Sequence, residues 1–360
     1  MRIVFFIGGL SGGGAERVTC NLASHLANSG HYVTIMTMSD DESTYMIDNK
    51  VKRNTLLMEK ERRSFLYNSS LRFFRLCKHL WCDEVDVYIV MLPITTIMLL
   101  QLRKLTKSKI IAAERVDPSN YSIQKQKELR KLAKKANGWI FQTDEERNWY
   151  GKSTGEAKVK IIPNAINPDF IKEPYLGKRK KTIVSAGRLT TQKNHILLIK
   201  AFAQICSGYS DYQLVIYGDG NLKTEYEKIA EVLGVKNKII LPGYTTNIGE
   251  KIKDASMFVL SSDYEGMPNA LMEAMALGIP CVSTDCDGGG ARFLIKNEKN
   301  GLLVPKGDIG ALADAMDRML SDRDFANKCG SEAHKICERL ASEKIYSEWE
   351  SFIKQVVECD

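Results

Sequence analysis

Two glutamates eight residues apart frame the segment Glu265-Gly266-Met267-Pro268-Asn269-Ala270-Leu271-Met272-Glu273. It follows an apolar, strand-like run at 257–260, and Pro268 suits the first turn of a helix. The first amides of a helix have no intrahelical partner and its dipole favours a negative group, so a nucleotide diphosphate fits there. The spacing predicts Glu265 in the loop before the helix and Glu273 two turns in, facing different parts of one ligand. Carboxylates accept hydrogen bonds from hydroxyls. The same residues also suit a plain helix cap followed by a solvated acid.

A second segment, Gly187-Arg188-Leu189-Thr190-Thr191-Gln192-Lys193-Asn194, follows the strand-like run 182–186 and precedes a helix from about His195. Arg188 and Lys193 stand at a strand's carboxyl end, where open α/β sheets bind ligands. A guanidinium fork and an ammonium point charge there suit a diphosphate leaving group, or are two solvated surface cations. A third segment, Gly8-Gly9-Leu10-Ser11-Gly12-Gly13-Gly14-Ala15-Glu16-Arg17, joins the first strand to the first helix. Its glycines allow close backbone approach to a phosphate, but it is neither a GxGxxG nor a P-loop. Asp40 or Asp41, after the second strand, keeps a dinucleotide reading open. Gly218-Asp219-Gly220 and Pro242-Gly243-Tyr244-Thr245 form further turns at strand ends, and Tyr244 is a candidate to pack on a base.

These segments need a scaffold of alternating strands and helices. Strand-like runs fall at 3–7, 32–38, 87–91, 110–113, 139–142 and 160–162, and then at 182–186, 213–217, 239–241, 257–260 and 280–283, with amphipathic stretches between. Such alternation predicts two doubly wound α/β domains with parallel sheets. Two prolines and two asparagines in Ile162-Pro163-Asn164-Ala165-Ile166-Asn167-Pro168 interrupt both periods, placing the first domain at 1–168 and the second at 169–341. A last helix, 342–360, carries Ile345, Trp349, Phe352, Ile353 and Val356 at helical spacing and is expected to pack back on the N-terminal domain.

Composition excludes several classes. The longest apolar run, 88–102, is too short to cross a bilayer and contains Pro93, so it reads as a buried strand, a turn and a helix start. No cleavable leader pattern is expected, because the chain enters a strand at once. Nine cysteines, odd in number and without a CxxC pair, suggest reduced thiols in a cytoplasmic protein. Five histidines show no ligand spacing, and Asp285-Cys286-Asp287 has the DxD form of metal–diphosphate sites but runs directly into three glycines. Residues 1–170 hold 26 Lys and Arg against 18 Asp and Glu, a net +8, whereas the remainder is −1, so the two halves are expected to meet different partners.

Together these segments resemble the large retaining glycosyltransferase family 4, of GT-B architecture. The matching features run in family order: Gly13-Gly14-Ala15-Glu16-Arg17, the Gly-Arg-Leu-x-x-x-Lys segment from Gly187 to Lys193, and Glu265 with Glu273 in the Glu-x7-Glu element. The resemblance implies two Rossmann-like domains facing each other across a cleft, with no metal or other cofactor. By position, Arg188 and Lys193 would neutralise the departing diphosphate, Glu265 would hold donor-sugar hydroxyls and Glu273 the ribose. Gly187, Gly218 and Tyr244 would also line the donor site. The amides near Gly266, Met267 and Leu271 would meet sugar and phosphate, and Gly13 and Gly14 would approach the diphosphate from the other domain. Retention by front-face attack is implied. Two positions depart from the pattern: Arg292 and Phe293 stand where relatives place a glutamate, and Ala113-Glu114-Arg115-Val116-Asp117-Pro118 lacks a histidine. Glu114, Arg115 and Asp117 would face acceptor or donor, or form a structural ion pair.

The basic N-terminal half is the expected acceptor side. Residues 62–82 mix Arg62, Arg63, Arg72, Arg75 and Lys78 with Phe65, Leu66, Leu71, Phe73, Phe74, Leu76, Leu80 and Trp81, and 124–135 add six further cations. Basic amphipathic helices with aromatic residues suit an anionic membrane surface, or are helices with a solvated basic face. The favoured reading is a cytoplasmic enzyme peripheral to the inner membrane face, moving a hexose or N-acetylhexosamine from a UDP-sugar to a lipid-linked glycan. The alternatives are a soluble transferase acting on a protein or metabolite, and a sugar-nucleotide-binding module without turnover. No motif supports nucleic-acid binding.

Overall fold

The computed structural model describes residues 1–40, 45–82, 84–175 and 177–358, so Asp41 and Cys359 lie outside the described residues. The chain divides into two compact units, Met1–Ala165 with Glu343–Asp360, and Ile166–Ser342. The break therefore falls inside the Pro/Asn-rich segment, three residues before the expected boundary.

The first unit is built on seven parallel strands: β1 (Arg2–Ile7), β2 (Tyr32–Thr37), β3 (Lys52–Thr55), β4 (Val87–Met91), β5 (Lys109–Ala113), β6 (Gly138–Phe141) and β7 (Lys158–Ile161). Their order is β3-β2-β1-β4-β5-β6-β7. The central strands are continuous apolar runs because helices cover both faces of a parallel sheet. β4, VYIVM, is buried at every position. The sequence reading missed β3, whose residues Lys-Arg-Asn-Thr carry no apolar signal. An edge strand needs none, since only one neighbour and one partly covered face hold it. The run 88–102 resolves into β4, a turn at Leu92 (φ 75°) and the helix Pro93–Gln101. Among the described residues no helix is long and apolar enough to cross a membrane.

The helix Ser342–Val357 buries Trp349, Phe352 and Ile353. Its Val356 and Phe352 lie so close to Gly138 that a Cβ there would stand 3.0 and 3.1 Å from them. Glycine at the start of β6 is thus what lets this last helix seat on the first sheet.

The second unit has six parallel strands: β8 (Lys180–Ala186), β9 (Gln213–Tyr217), β10 (Ile239–Gly243), β11 (Ala255–Leu260), β12 (Cys281–Asp285) and β13 (Leu302–Pro305). β13, four residues ending in proline at the sheet's edge, also escaped the sequence reading. The order β10-β9-β8-β11-β12-β13 reverses direction between β8 and β11. At such a switch point the loops after the two central strands diverge and leave a crevice for a ligand. Those loops are residues 187–194 and 261–268.

Candidate active site

The two loops at the switch point are stitched together. The Gln192 carbonyl accepts from the Asp263 amide at 2.9 Å. Gln192 Nε2 donates to the Tyr264 carbonyl at 3.0 Å, Asn194 Nδ2 to Asp263 Oδ1 at 2.9 Å, and Ser261 Oγ to the Lys193 carbonyl at 3.0 Å. Asn194 adopts the left-handed conformation (φ 41°), and its side chain caps the helix His195–Ile205 by accepting from the Leu197 amide. Asn directly before an apolar helical run is well suited to such a cap.

This frame brings Lys193 and Glu265 together. Lys193 Nζ lies 2.5 Å from Glu265 Oε1, with the side chains only 15% and 9% exposed. The same Oε1 accepts from Ser262 Oγ at 2.7 Å, and the Ser262 carbonyl accepts from Thr284 Oγ1 at 2.6 Å. Ser262 was not anticipated, because a serine after an apolar run carries no sequence signal for such a role. Arg188, by contrast, is exposed, and among the described residues its guanidinium has no protein partner. The site therefore presents one free cation beside a cation–carboxylate pair held in place by a buried hydroxyl.

Glycines allow the loops to approach. At Gly218 (φ 132°) a Cβ would stand 2.0 Å from the Gly187 carbonyl oxygen, and at Gly290 1.8 Å from that of Gly266. Tyr244 is exposed, its amide donating to Asp219 Oδ2 at 3.0 Å, so its ring is accessible at the end of β10. The helix after β11 spans Asn269–Ala276, with Pro268 at its cap in extended conformation (ψ 95°) instead of in the first turn. Glu273 is consequently just past one turn, not two, and is buried. The Leu271 amide donates to the Pro268 carbonyl at 3.1 Å, so the helix itself uses that donor. Gly266 and Met267 are buried where the loop meets the helix.

His195 lies behind Lys193 with its imidazole edge-on to Tyr226, ring centroids 5.8 Å apart. Burial, with the Lys193 charge adding to it, pushes its pKa down to about 3. Cys286 stays a thiol, because burial and the nearby Glu265 raise its pKa to about 12. The DxD acids are engaged elsewhere: Asp285 pairs with Arg292 at 2.8 Å and Asp287 with Lys306. Among the described residues no group of three or more His, Cys, Asp or Glu is arranged to hold a metal ion.

In the first unit, Gly13 caps the helix Gly14–Asn28 at the carboxyl end of β1, with Gly12 at φ 92°. Glu114, Arg115 and Asp117, expected to meet a ligand or form an ion pair, are buried in a network after β5. Glu114 accepts from Tyr121 and Tyr150, each at 2.7 Å. Arg115 donates to Asn164 Oδ1 at 3.1 Å and lies 5.0 Å from the Trp349 ring centroid. Asp117 accepts from the Ser119 amide and hydroxyl in its own turn. Burial raises the carboxyls of Glu114 and Glu146 and lowers Arg115 to about 10, so Arg115 stays a cation at neutral pH.

The helix Phe65–Cys82 exposes Phe65, Leu66, Phe73, Phe74 and Trp81, the last 76% accessible. Two of its arginines are not part of a free basic face. Arg75 forms a bidentate pair with Glu61 at 2.6 Å, and Arg72 donates to the Met38 carbonyl and Ser39.

Paired parallel sheets of this kind, with a charged loop cluster at a switch point, are the architecture of GT-B glycosyltransferases. The chain shares that fold with the Anabaena protein HepE, solved in complex with UDP and glucose, at a TM-score of 0.82 and 17% identity over 99% of this chain and 100% of that one. Residues 12–170 match the profile described as Glycosyltransferase Family 4, and residues 167–336 the one described as Glycosyl transferases group 1. The protein belongs to glycosyltransferase family 4 and is a glycosyltransferase. Across 99% of both chains it is 29% identical to the Campylobacter jejuni GalNAc-alpha-(1->4)-GalNAc-alpha-(1->3)-diNAcBac-PP-undecaprenol alpha-1,4-N-acetyl-D-galactosaminyltransferase. It is 32% identical to the Escherichia coli UDP-Gal:alpha-D-GlcNAc-diphosphoundecaprenol alpha-1,3-galactosyltransferase over 46% of each chain.

Proposed function

We propose that the protein moves a hexosyl or N-acetylhexosaminyl group from a UDP-sugar to a lipid-diphosphate-linked glycan, with retention at the anomeric carbon. The observation that carries this reading is the Lys193–Glu265 pair, 2.5 Å apart at the switch point with Ser262 behind it. Arg188 and Lys193 take the negative charge that develops on the departing diphosphate, in a preorganised site where no solvent needs to reorient. Glu265 has one oxygen fixed by Lys193 and Ser262, which leaves the other to accept from a donor-sugar hydroxyl. Gly187 and Gly218 keep side chains away from the phosphates, Tyr244 stacks on the base, and Glu273 takes the ribose. Catalysis is then positioning and electrostatics, with attack from the leaving-group face, and the leaving group's charge is met by these cations without a metal.

The acceptor side of the proposal rests on two supports. Both cited curated relatives are named for undecaprenol-linked diphosphate acceptors. The helix Phe65–Cys82 exposes aromatic side chains next to cations, a combination suited to an anionic bilayer surface. The enzyme accordingly works peripherally at the inner membrane face. Incubating the purified protein with a panel of nucleotide sugars and an undecaprenyl-diphosphate-sugar acceptor tests this. UDP release that depends on the lipid acceptor is expected, whereas release only with soluble acceptors refutes the lipid assignment.

A further inference from the structure

The second unit contains a pocket of about 120 Å³ lined by Lys296, Lys299, Asn300, Glu332, Lys335, Ile336 and Arg339. We propose that it is a second oxyanion site, taking a phosphate or diphosphate group either free in solution or carried by a lipid headgroup. It is separate from the loops at the switch point. Residues 296–300 lead into the amino end of β13, and in a parallel sheet that end lies on the edge opposite the one bearing loops 187–194 and 261–268.

Four cations face one carboxylate across this volume. Glu332 is already engaged by Lys335 at 2.6 Å, and its carboxyl is held below the usual range by that bond and by the charges of Lys335, Lys299 and Lys328. The positive field therefore exceeds what the one acid neutralises. Arg339 is held by Phe293, 5.2 Å from its ring centroid, and donates to the Phe293 carbonyl at 3.4 Å. Its Nε is buried with no hydrogen-bond partner among the described residues. The Phe293 contacts fix Arg339 at the pocket wall, and its guanidinium charge adds to the field that an anion there would meet.

The turn that presents the lysines is fixed in shape. Asn300 Oδ1 accepts from the Lys296 amide at 2.7 Å and Asn300 Nδ2 donates to the Leu294 carbonyl at 3.1 Å. Glu298 holds a left-handed conformation (φ 62°), and its carboxylate is occupied by Arg318 at 2.8 Å, outside the pocket lining. Lys296 and Lys299 are thus presented without the intervening acid neutralising them. A cluster of this charge favours a phosphoryl group, with several anionic oxygens, over a single carboxylate.

Isothermal titration of the full chain with inorganic pyrophosphate, with UDP present to occupy the switch-point site, provides the test. Saturable one-site binding at roughly millimolar concentration or below is expected, weakened about ten-fold or more in the K296Q/K299Q double variant. Both lysines are exposed, so the variant keeps its fold. Retention on phosphatidylglycerol vesicles separates the sources: loss of both binding and retention in the variant assigns a lipid headgroup, and loss of pyrophosphate binding alone assigns free phosphate. Binding unchanged in the variant, or absent in the wild type at 10 mM (about ten times the expected limit), overturns the proposal.

Discussion

Replacing Lys193 with methionine leaves a buried carboxylate whose Oε1 keeps only the Ser262 hydroxyl as donor. At 2.5 Å the two charges attract by roughly 6–7 kcal/mol in an effective dielectric of about 20, and desolvation of both offsets much of that. Removing one partner of a buried pair costs about 3–5 kcal/mol, since the remaining charge is left uncompensated. The residual exposure of 15% and 9% places this pair at the lower end, near 3 kcal/mol. Lys193→Met together with Glu265→Gln removes both charges and should cost only about 1 kcal/mol relative to wild type. Urea unfolding of the four proteins in a double-mutant cycle is therefore expected to give a coupling energy of at least about 2 kcal/mol. All three variants should lose turnover while the double variant regains stability, which separates the catalytic loss from misfolding. A Lys193→Met protein within about 0.5 kcal/mol of wild type, with additive effects, would refute the picture of a desolvated pair.

Arg188→Ala, at an exposed side chain, should leave the unfolding free energy nearly unchanged but raise the barrier to turnover by at least about 2–3 kcal/mol, as loss of an oxyanion donor does; near-normal kcat sinks its role. His195 has its pKa depressed to about 3, so the folded state refuses a proton that the unfolded chain binds below pH 6.5. Its contribution is fully present above pH 6.5 and falls by about 1.4 kcal/mol per pH unit toward pH 3. His195→Phe should flatten the stability–pH curve in that window, and an unchanged slope contradicts the assignment. Phe74→Ser with Trp81→Ser should reduce partitioning onto anionic vesicles by roughly 1,000-fold, at roughly 2 kcal/mol for each ring withdrawn from the interface. Unaltered retention would remove this helix from the membrane-facing surface.

Much of this architecture is legible in the sequence because buried parallel strands must be apolar along their whole length, as Val87–Met91 is. Edge strands escape that constraint, which is why Lys-Arg-Asn-Thr passed unnoticed, whereas Leu-Leu-Val-Pro is apolar but only four residues long and ends in a proline. The residues at 188, 193 and 265 could be singled out as candidates because they stand in loops after a strand's carboxyl end, where open α/β sheets bind ligands. What the spacing could not supply was pairing. That Lys193 lies on Glu265 depends on Gln192, Asn194 and Asp263 tying together two loops that are far apart in sequence, a tertiary fact. The same holds for Arg72 and Arg75, whose charges looked available along the helix but are consumed by Ser39 and Glu61. Glu114, Arg115 and Asp117 could be read either as ligand contacts or as a structural ion pair, and folding gives Glu114 two tyrosines, Arg115 Asn164 and Trp349, and Asp117 the Ser119 of its own turn.

For this site we propose retaining transfer from a UDP-sugar, with its own cations on the leaving group. The most direct measurement is the anomeric configuration of the product, read by NMR after reaction of a UDP-α-sugar with a diphosphate-linked lipid acceptor in the presence of EDTA. An α-linked product formed at an undiminished rate is expected. A β-linked product, or turnover that vanishes with the chelator and returns with a divalent cation, would contradict it.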